Sequence, residues 1–147
     1  MTTEKRLQTY DTSPNGETVN YTNPIIPGYH PDPTICRAGD DYYIAASSNE
    51  YFPGVPIYHS GNLVDWELIG YALTRDEQLN LKEAEPSKGI FAPTLRYHKG
   101  RFYLATTNME HGGNFYVYPA DPAGEWSDPV WIDIPGIDPD IFFDDNG

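Results

Sequence analysis

Apolar residues in this chain come in short runs broken by Gly, Pro, Asn and Asp, and the runs follow strand rather than helix periodicity. Strands are predicted over residues 34–37, 42–47, 56–59 and 66–69. A second set follows over 94–97, 102–107 and 115–118, with a last strand running from Trp126 on to 130–132. Tight turns are predicted at Gly39-Asp-Asp and Lys99-Gly-Arg. Residues 42–47 and 102–107 carry aromatic and small side chains on both faces, as a strand covered on both sides does. Helical periodicity is absent apart from a turn around residues 76–83. Residues 1–22 are polar and read as a leader without a core of its own; the domain proper is expected over 23–147.

The two sets of strands are copies of one unit. Placing residues 32–66 over 92–126, an offset of 60 without gaps, gives seven identities: Pro33/Pro93, Thr34/Thr94, Tyr43/Tyr103, Ala45/Ala105, Glu50/Glu110, Tyr58/Tyr118 and Trp66/Trp126. Composition alone would give about two. Asp138-Pro-Asp-Ile-Phe-Phe opens a third copy. Four short antiparallel strands per roughly 40–60 residues is the layout of a β-propeller blade. A β-sandwich would hold the same strands but leaves the repeat unexplained. Propellers need roughly 4–8 blades to close. Two blades and the first strand of a third do not, so the chain is expected to be a segment of a longer protein.

Composition narrows the partners. Nine Lys and Arg against 22 Asp and Glu give a net charge of −13 and a pI near 4.4. This argues against nucleic acid and against anionic membrane surfaces, and leaves neutral ligands such as sugars. Aromatics at 14% argue for a folded chain. The single Cys36 excludes an internal disulfide and suits a small apolar space. The N-terminus has no apolar signal region and no stretch is long enough to span a bilayer, so a cytoplasmic protein is expected, or a secreted or periplasmic one if a signal was removed.

The repeat also selects the candidate chemistry. Its first position is Asp32, then Ala92, then Asp138, and in a propeller equivalent inner-strand positions surround the axis at one height. Two carboxylates converging on an axial pocket are what glycoside hydrolysis uses. Each Asp also stands in an Asp-Pro step where a simple turn would place it; the coincidence in repeat phase shifts the balance toward function. His30, beside Asp32, is a candidate pocket residue. His59 and His98 read as blade-edge residues, and His111 sits in a glycine-rich loop. No metal-ligand spacing is present, and no cofactor or metal is expected. Asp144-Asp-Asn-Gly reads as a hairpin turn rather than a calcium loop.

Several stretches resemble glycoside hydrolase family 43, closest to its β-xylosidase and α-L-arabinofuranosidase members. They are Asn23-Pro-Ile-Ile-Pro-Gly-Tyr-His-Pro-Asp-Pro-Thr-Ile-Cys-Arg, Asp41-Tyr-Tyr-Ile-Ala-Ala-Ser-Ser, Phe52-Pro-Gly-Val-Pro-Ile-Tyr-His-Ser, Leu63-Val-Asp-Trp-Glu-Leu-Ile-Gly, Gly89-Ile-Phe-Ala-Pro-Thr-Leu and Gly136-Ile-Asp-Pro-Asp-Ile-Phe. The resemblance implies a five-bladed β-propeller and an inverting hydrolase that removes terminal xylose or arabinose from xylan-derived oligosaccharides, β-xylosidase first. It implies that Asp32 is the general base, and that Asp138 tunes and orients the general acid. That acid is a Glu of a later blade, which nothing here matches, so the segment alone is expected to be inactive. Phe52 and Phe91 resemble the aromatic walls of the family's sugar pocket, although the family's usual Trp is Phe91 here and its usual Ser after Asp-Pro is Asp140. The expected partners are a neutral oligosaccharide and the remainder of the same propeller. The competing reading is a non-catalytic carbohydrate-binding propeller.

Overall fold

The computed structural model describes residues 7–11 and 18–145. Among these there are ten β-strands and no helix. Strands β1 (Leu7–Asp11) and β2 (Thr18–Thr22) pair antiparallel as a separate hairpin inside the segment read as a leader. Val19 and Tyr21 alternate with polar residues in β2, but Leu7 and Tyr10 in β1 stand three apart, so the pair of strands was not read from the sequence.

The two repeats form two four-stranded antiparallel sheets, each a simple meander. The first holds β3 (Thr34–Ala38), β4 (Asp41–Ala45), β5 (Gly54–Ser60) and β6 (Glu67–Leu73), hydrogen-bonded in that order. The second holds β7 (Thr94–His98), β8 (Arg101–Asn108), β9 (Gly113–Val117) and β10 (Val130–Trp131). The opening hairpins superpose in register: Thr34 pairs with Ala45, and Thr94 with Ala105. The turns fit their residues. Lys99 and Gly100 both have positive φ (48° and 82°), as a type I′ turn requires, and the other turn places Gly39 at φ 65°.

At the third strand the gapless alignment slips by one residue. Ile44 pairs with Tyr58, whereas its equivalent Leu104 pairs with Val117, one short of Tyr118. Strand β8 runs on to Asn108 before β9 starts at Gly113, so the second blade has a longer strand and a shorter loop. The matched tryptophans part company too. Trp126 is buried ahead of β10 and bridges to Pro119, while Trp66 is half-buried at the entry to β6. Residues 76–83 form turns, with a single helical bond from the Leu79 N–H to the Arg75 carbonyl, as the pattern suggested.

The core lies between the sheets. Ala45, Val55, Ile57, Ala72 and Leu73 meet Leu95, Leu104, Phe115, Val117 and Trp126, with Leu79 and Ile90 between them. Strands β3 and β7 run side by side as the inner strands of consecutive blades. The opposite face of the first blade is open: Ile35 is 51% exposed, while Leu95, its repeat equivalent, is fully buried.

Two features lock the blades together. Main-chain bonds join Asn49 to Ile90 in both directions, and the Met109 N–H donates to the Gly89 carbonyl. Gly89 has φ 89°, and a Cβ there would overlap the Asn49 carbonyl, so glycine is required. Buried Gln78 accepts from the N–H groups of Thr74 and Arg75 and donates to the carbonyls of Trp126 and Ser127.

The segment predicted as the first strand of a third copy belongs to no sheet among the described residues. It is pinned to β7 instead. Arg96 donates to Asp140 at 2.6 Å and to the Ile141 carbonyl at 3.2 Å, and the Phe143 ring stacks on His98 at 4.1 Å. The predicted hairpin at 144–147 extends past Asp145, outside the described residues.

Candidate active site

Asp32 stands just ahead of β3 with φ 50°, in the left-handed region that an L-residue enters only at a cost. Asp138, its repeat equivalent, does the same at φ 57°. Both precede Pro, and both side chains are exposed. Each carboxylate thus stands at a kinked corner ahead of a proline, not in a relaxed turn.

Asp32 is held from within its own blade. Ser47, two residues beyond β4 and only 2% exposed, donates its hydroxyl to Asp32 Oδ2 at 2.9 Å. The Ser47 N–H donates to the Pro31 carbonyl at 2.9 Å, so the donor is itself anchored to the segment it orients. Oδ1 is left to face solvent or a ligand.

Beside Ser47 opens a pocket of about 320 Å³, lined by His30, Ser48, Tyr58 and Tyr71 with an outer wall of Tyr29, Tyr51 and Phe52. The three wall aromatics are each about 60% exposed (61%, 59% and 58%), which is unusual for side chains this large. Tyr29 and Tyr51 meet edge to face at 6.0 Å, and the Tyr29 hydroxyl donates to Asn49 Oδ1 at 2.8 Å. Flat exposed rings with a few polar groups between them suit the apolar face of a sugar.

His30 is fixed in one tautomer. Its Nε2 lies 3.2 Å from the Pro27 carbonyl, which only accepts, so Nε2 carries the hydrogen. Nδ1 then accepts from the Tyr58 hydroxyl at 3.3 Å. Burial, with Tyr71 nearby, pushes the Tyr58 phenol above its ordinary value.

Asp138 is held differently. Its N–H donates to Thr107 Oγ1 at 3.2 Å, and the Thr107 hydroxyl donates to Asn114 Oδ1 at 2.5 Å. Asn114 Nδ2 donates to the carbonyls of Ile134 and Gly136, which fixes the approach to Asp138. Asp140 turns away to Arg96 and receives the Ile141 N–H at 2.8 Å, so its charge is neutralised on the β7 side. Phe91 is half-buried and tied at both main-chain ends, its N–H to the Thr107 carbonyl and its carbonyl to the Thr106 hydroxyl. Of the predicted pocket residues, His30 and Phe52 therefore share one pocket and are linked through Ser47 to Asp32. Phe91 and Asp138 both bond Thr107 of the next blade, one at its carbonyl and the other at its hydroxyl.

A family model for glycosyl hydrolases family 43 matches residues 21–147. The chain belongs to that family. It is 54% identical over 128 residues to a xylosidase/arabinosidase of Butyrivibrio fibrisolvens, covering 85% of this chain and 25% of the relative. It is 53% identical over 129 residues to a Bacteroides ovatus protein named non-reducing end alpha-L-arabinofuranosidase BoGH43B, covering 85% and 24%. Among solved structures, the Bacteroides ovatus xyloglucan PUL GH43B matches with a TM-score of 0.81 and 53% identity, over 85% of this chain and 26% of that one. A xylan beta-1,4-xylosidase from Bacillus halodurans C-125 matches with a TM-score of 0.82 and 46% identity, over 86% and 26%. The chain thus spans about a quarter of the length of these relatives.

Within this family 43 chain, several pocket residues escaped the sequence reading. Tyr29, Tyr51 and Tyr71 come from three separate segments, and only folding brings them together. Ser47 and Thr107 had a signal that went unused, since they are repeat equivalents carrying hydroxyls. The other histidines are structural: His59 Nε2 lies 2.8 Å from Asp41 Oδ1, and His98 stacks on Phe143. The His111 loop folds onto Asn108 Oδ1, which accepts the N–H groups of Glu110 and His111. Among the described residues no cluster of three His, Cys, Asp or Glu is placed to hold a metal ion, and no helix is long and apolar enough to cross a membrane.

Proposed function

We propose that this chain supplies the base side of the site of an inverting glycoside hydrolase that removes terminal xylose or L-arabinose from xylan-derived oligosaccharides, with β-xylosidase activity first. The observation that carries this reading is Asp32: an exposed carboxylate on strained backbone, one oxygen fixed by Ser47, beside an aromatic-walled pocket. In an inverting reaction the base accepts a proton from water as the water attacks the anomeric carbon, while an acid protonates the leaving oxygen. Asp32 Oδ1 is available for that transfer. Asp138 tunes the acid by like charge and orients it.

The acid is assigned to a Glu outside this sequence. Glu50 accepts the Ser87 N–H, and Glu125 pairs with Arg75; neither is free to act. The segment by itself is accordingly inactive, and further blades of the same protein complete a five-bladed propeller; that the chain covers only 25% and 24% of two relatives supports this reading. The test is proton NMR of the sugar first released by the complete protein from aryl β-xylosides and α-L-arabinofuranosides. An inverted anomer is expected. A retained anomer refutes the water-activating base. Saturable binding of xylo-oligosaccharides without turnover would favour a carbohydrate-binding propeller instead, to which the aromatic wall is equally suited.

A further inference from the structure

The hydroxyl at one repeat position touches both axial aspartates. Ser47 and Thr107 are equivalent under the 60-residue offset, lie on the second-strand side of their blades and are almost wholly buried, at 2% and 1% exposure. Ser47 donates to the Asp32 carboxylate itself, at Oδ2. Thr107 reaches across to the next repeat and accepts the Asp138 N–H, while its own hydrogen goes to Asn114. Their main chains bond equivalent positions, though in opposite senses. The Ser47 N–H donates to the Pro31 carbonyl, and the Thr107 carbonyl accepts from Phe91, the repeat equivalent of Pro31.

We propose that Ser47 and Thr107 are paired positioning residues for the reaction, one setting the rotamer of Asp32 and the other the backbone corner that carries Asp138. This rests on the reading of Asp32 as base and Asp138 as modulator, and it deepens that reading. A carboxylate on left-handed backbone has no helix or ladder to aim it. The Ser47 hydroxyl supplies the aim, holding Oδ2 so that Oδ1 alone presents a lone pair to the attacking water. Thr107 does not touch the Asp138 carboxylate. It fixes where the carboxylate starts from, together with the Asn114 clamp on Ile134 and Gly136. The difference matches the two roles: a base needs one oxygen aimed at water, whereas a modulator needs its charge held at a set distance from the acid.

The test uses the complete protein, with Asp32→Asn, Ser47→Ala, Ser47→Thr, Thr107→Val and Thr107→Ser compared by pH–rate profile on an aryl xyloside. Ser47→Ala is expected to lower kcat by about tenfold or more with KM changed less than about threefold. Ser47→Thr restores most of the lost kcat. Thr107→Val is expected to move the alkaline limb to lower pH, because a displaced Asp138 repels the acid's negative form less; Thr107→Ser restores it. A purely structural role would lower thermal stability and leave kcat of the folded protein and the alkaline limb in place. If Asp32→Asn abolishes turnover while Ser47→Ala leaves kcat within about twofold, the positioning role is overturned and the base assignment stands. If Asp32→Asn itself retains turnover, the base assignment falls first. Should Thr107→Val fail to fold, Ser47→Ala and Ser47→Thr decide the proposal alone.

Discussion

Replacing Gln78 with Ala should unfasten the two blades from each other. Gln78 is 1% exposed, and its amide serves four main-chain groups, two beside it in the chain and two across the junction. Not all four are orphaned by its loss. The Trp126 carbonyl keeps the Arg75 guanidinium at 3.0 Å, and Thr74 is exposed enough to take water. The Arg75 N–H and the Ser127 carbonyl are left partly shielded from solvent. At about 1–2 kcal/mol for each such group, the junction should lose about 3 kcal/mol. Local opening would then be about a hundredfold more frequent. Hydrogen exchange by mass spectrometry in the complete protein, over peptides spanning 72–79 and 125–128, reads this directly. Gln78→Met keeps the volume and removes the bonds, so it should behave like Ala. Exchange within about threefold of wild type for both variants would refute the clasp. Protection kept by Met but lost in Ala would show that packing, not hydrogen bonding, closes the junction.

Other outcomes follow from single residues. Gly112 has φ 79°, and a Cβ there would overlap the Trp131 ring, so Gly112→Ala should displace β10 and lower the melting temperature, with Trp131 fluorescence shifting red. Burial pushes the Cys36 thiol from 9.0 up to about 11, against an opposing pull from Arg96. The native protein should therefore resist iodoacetamide at pH 8 while the unfolded chain reacts. Since the folded state holds that proton more tightly, the stability linked to Cys36 is full below pH 9 and is lost as pH rises toward 11, which denaturant titrations at pH 8 and pH 10.5 would detect. Arg96→Met removes the 2.6 Å contact with Asp140 and should speed exchange at the Ile141 amide, whose acceptor is Asp140.

The parts of the fold legible in the sequence are those that local chemistry decides. The β3–β4 and β7–β8 hairpins could be placed because a two-residue turn fixes their register, and both keep it. The slip at β9 was not legible. It depends on how far β8 runs before turning, and the Tyr58/Tyr118 identity masks it. The equivalence of Trp66 and Trp126 was true of sequence and not of environment, because one blade face is covered by its neighbour and the other is open. At the site, the phase of the repeat picked out Asp32 and Asp138, and the structure adds a second trait they share, positive φ before Pro. Of the aromatic wall the sequence offered Phe52 alone; Tyr29 and Tyr51, and Tyr71 beside them in the pocket, lay beyond its reach because Tyr29 precedes β3, Tyr51 precedes β5 and Tyr71 lies within β6.

The central claim is that Asp32 activates water, and its most direct test is turnover by Asp32→Asn in the complete protein. The substitution keeps the shape and the Ser47 contact but removes the proton acceptor. On aryl β-xyloside and aryl α-L-arabinofuranoside, kcat should fall by about 100- to 10,000-fold, with the protein still folded and still binding xylo-oligosaccharide. A loss of less than about tenfold would contradict the account.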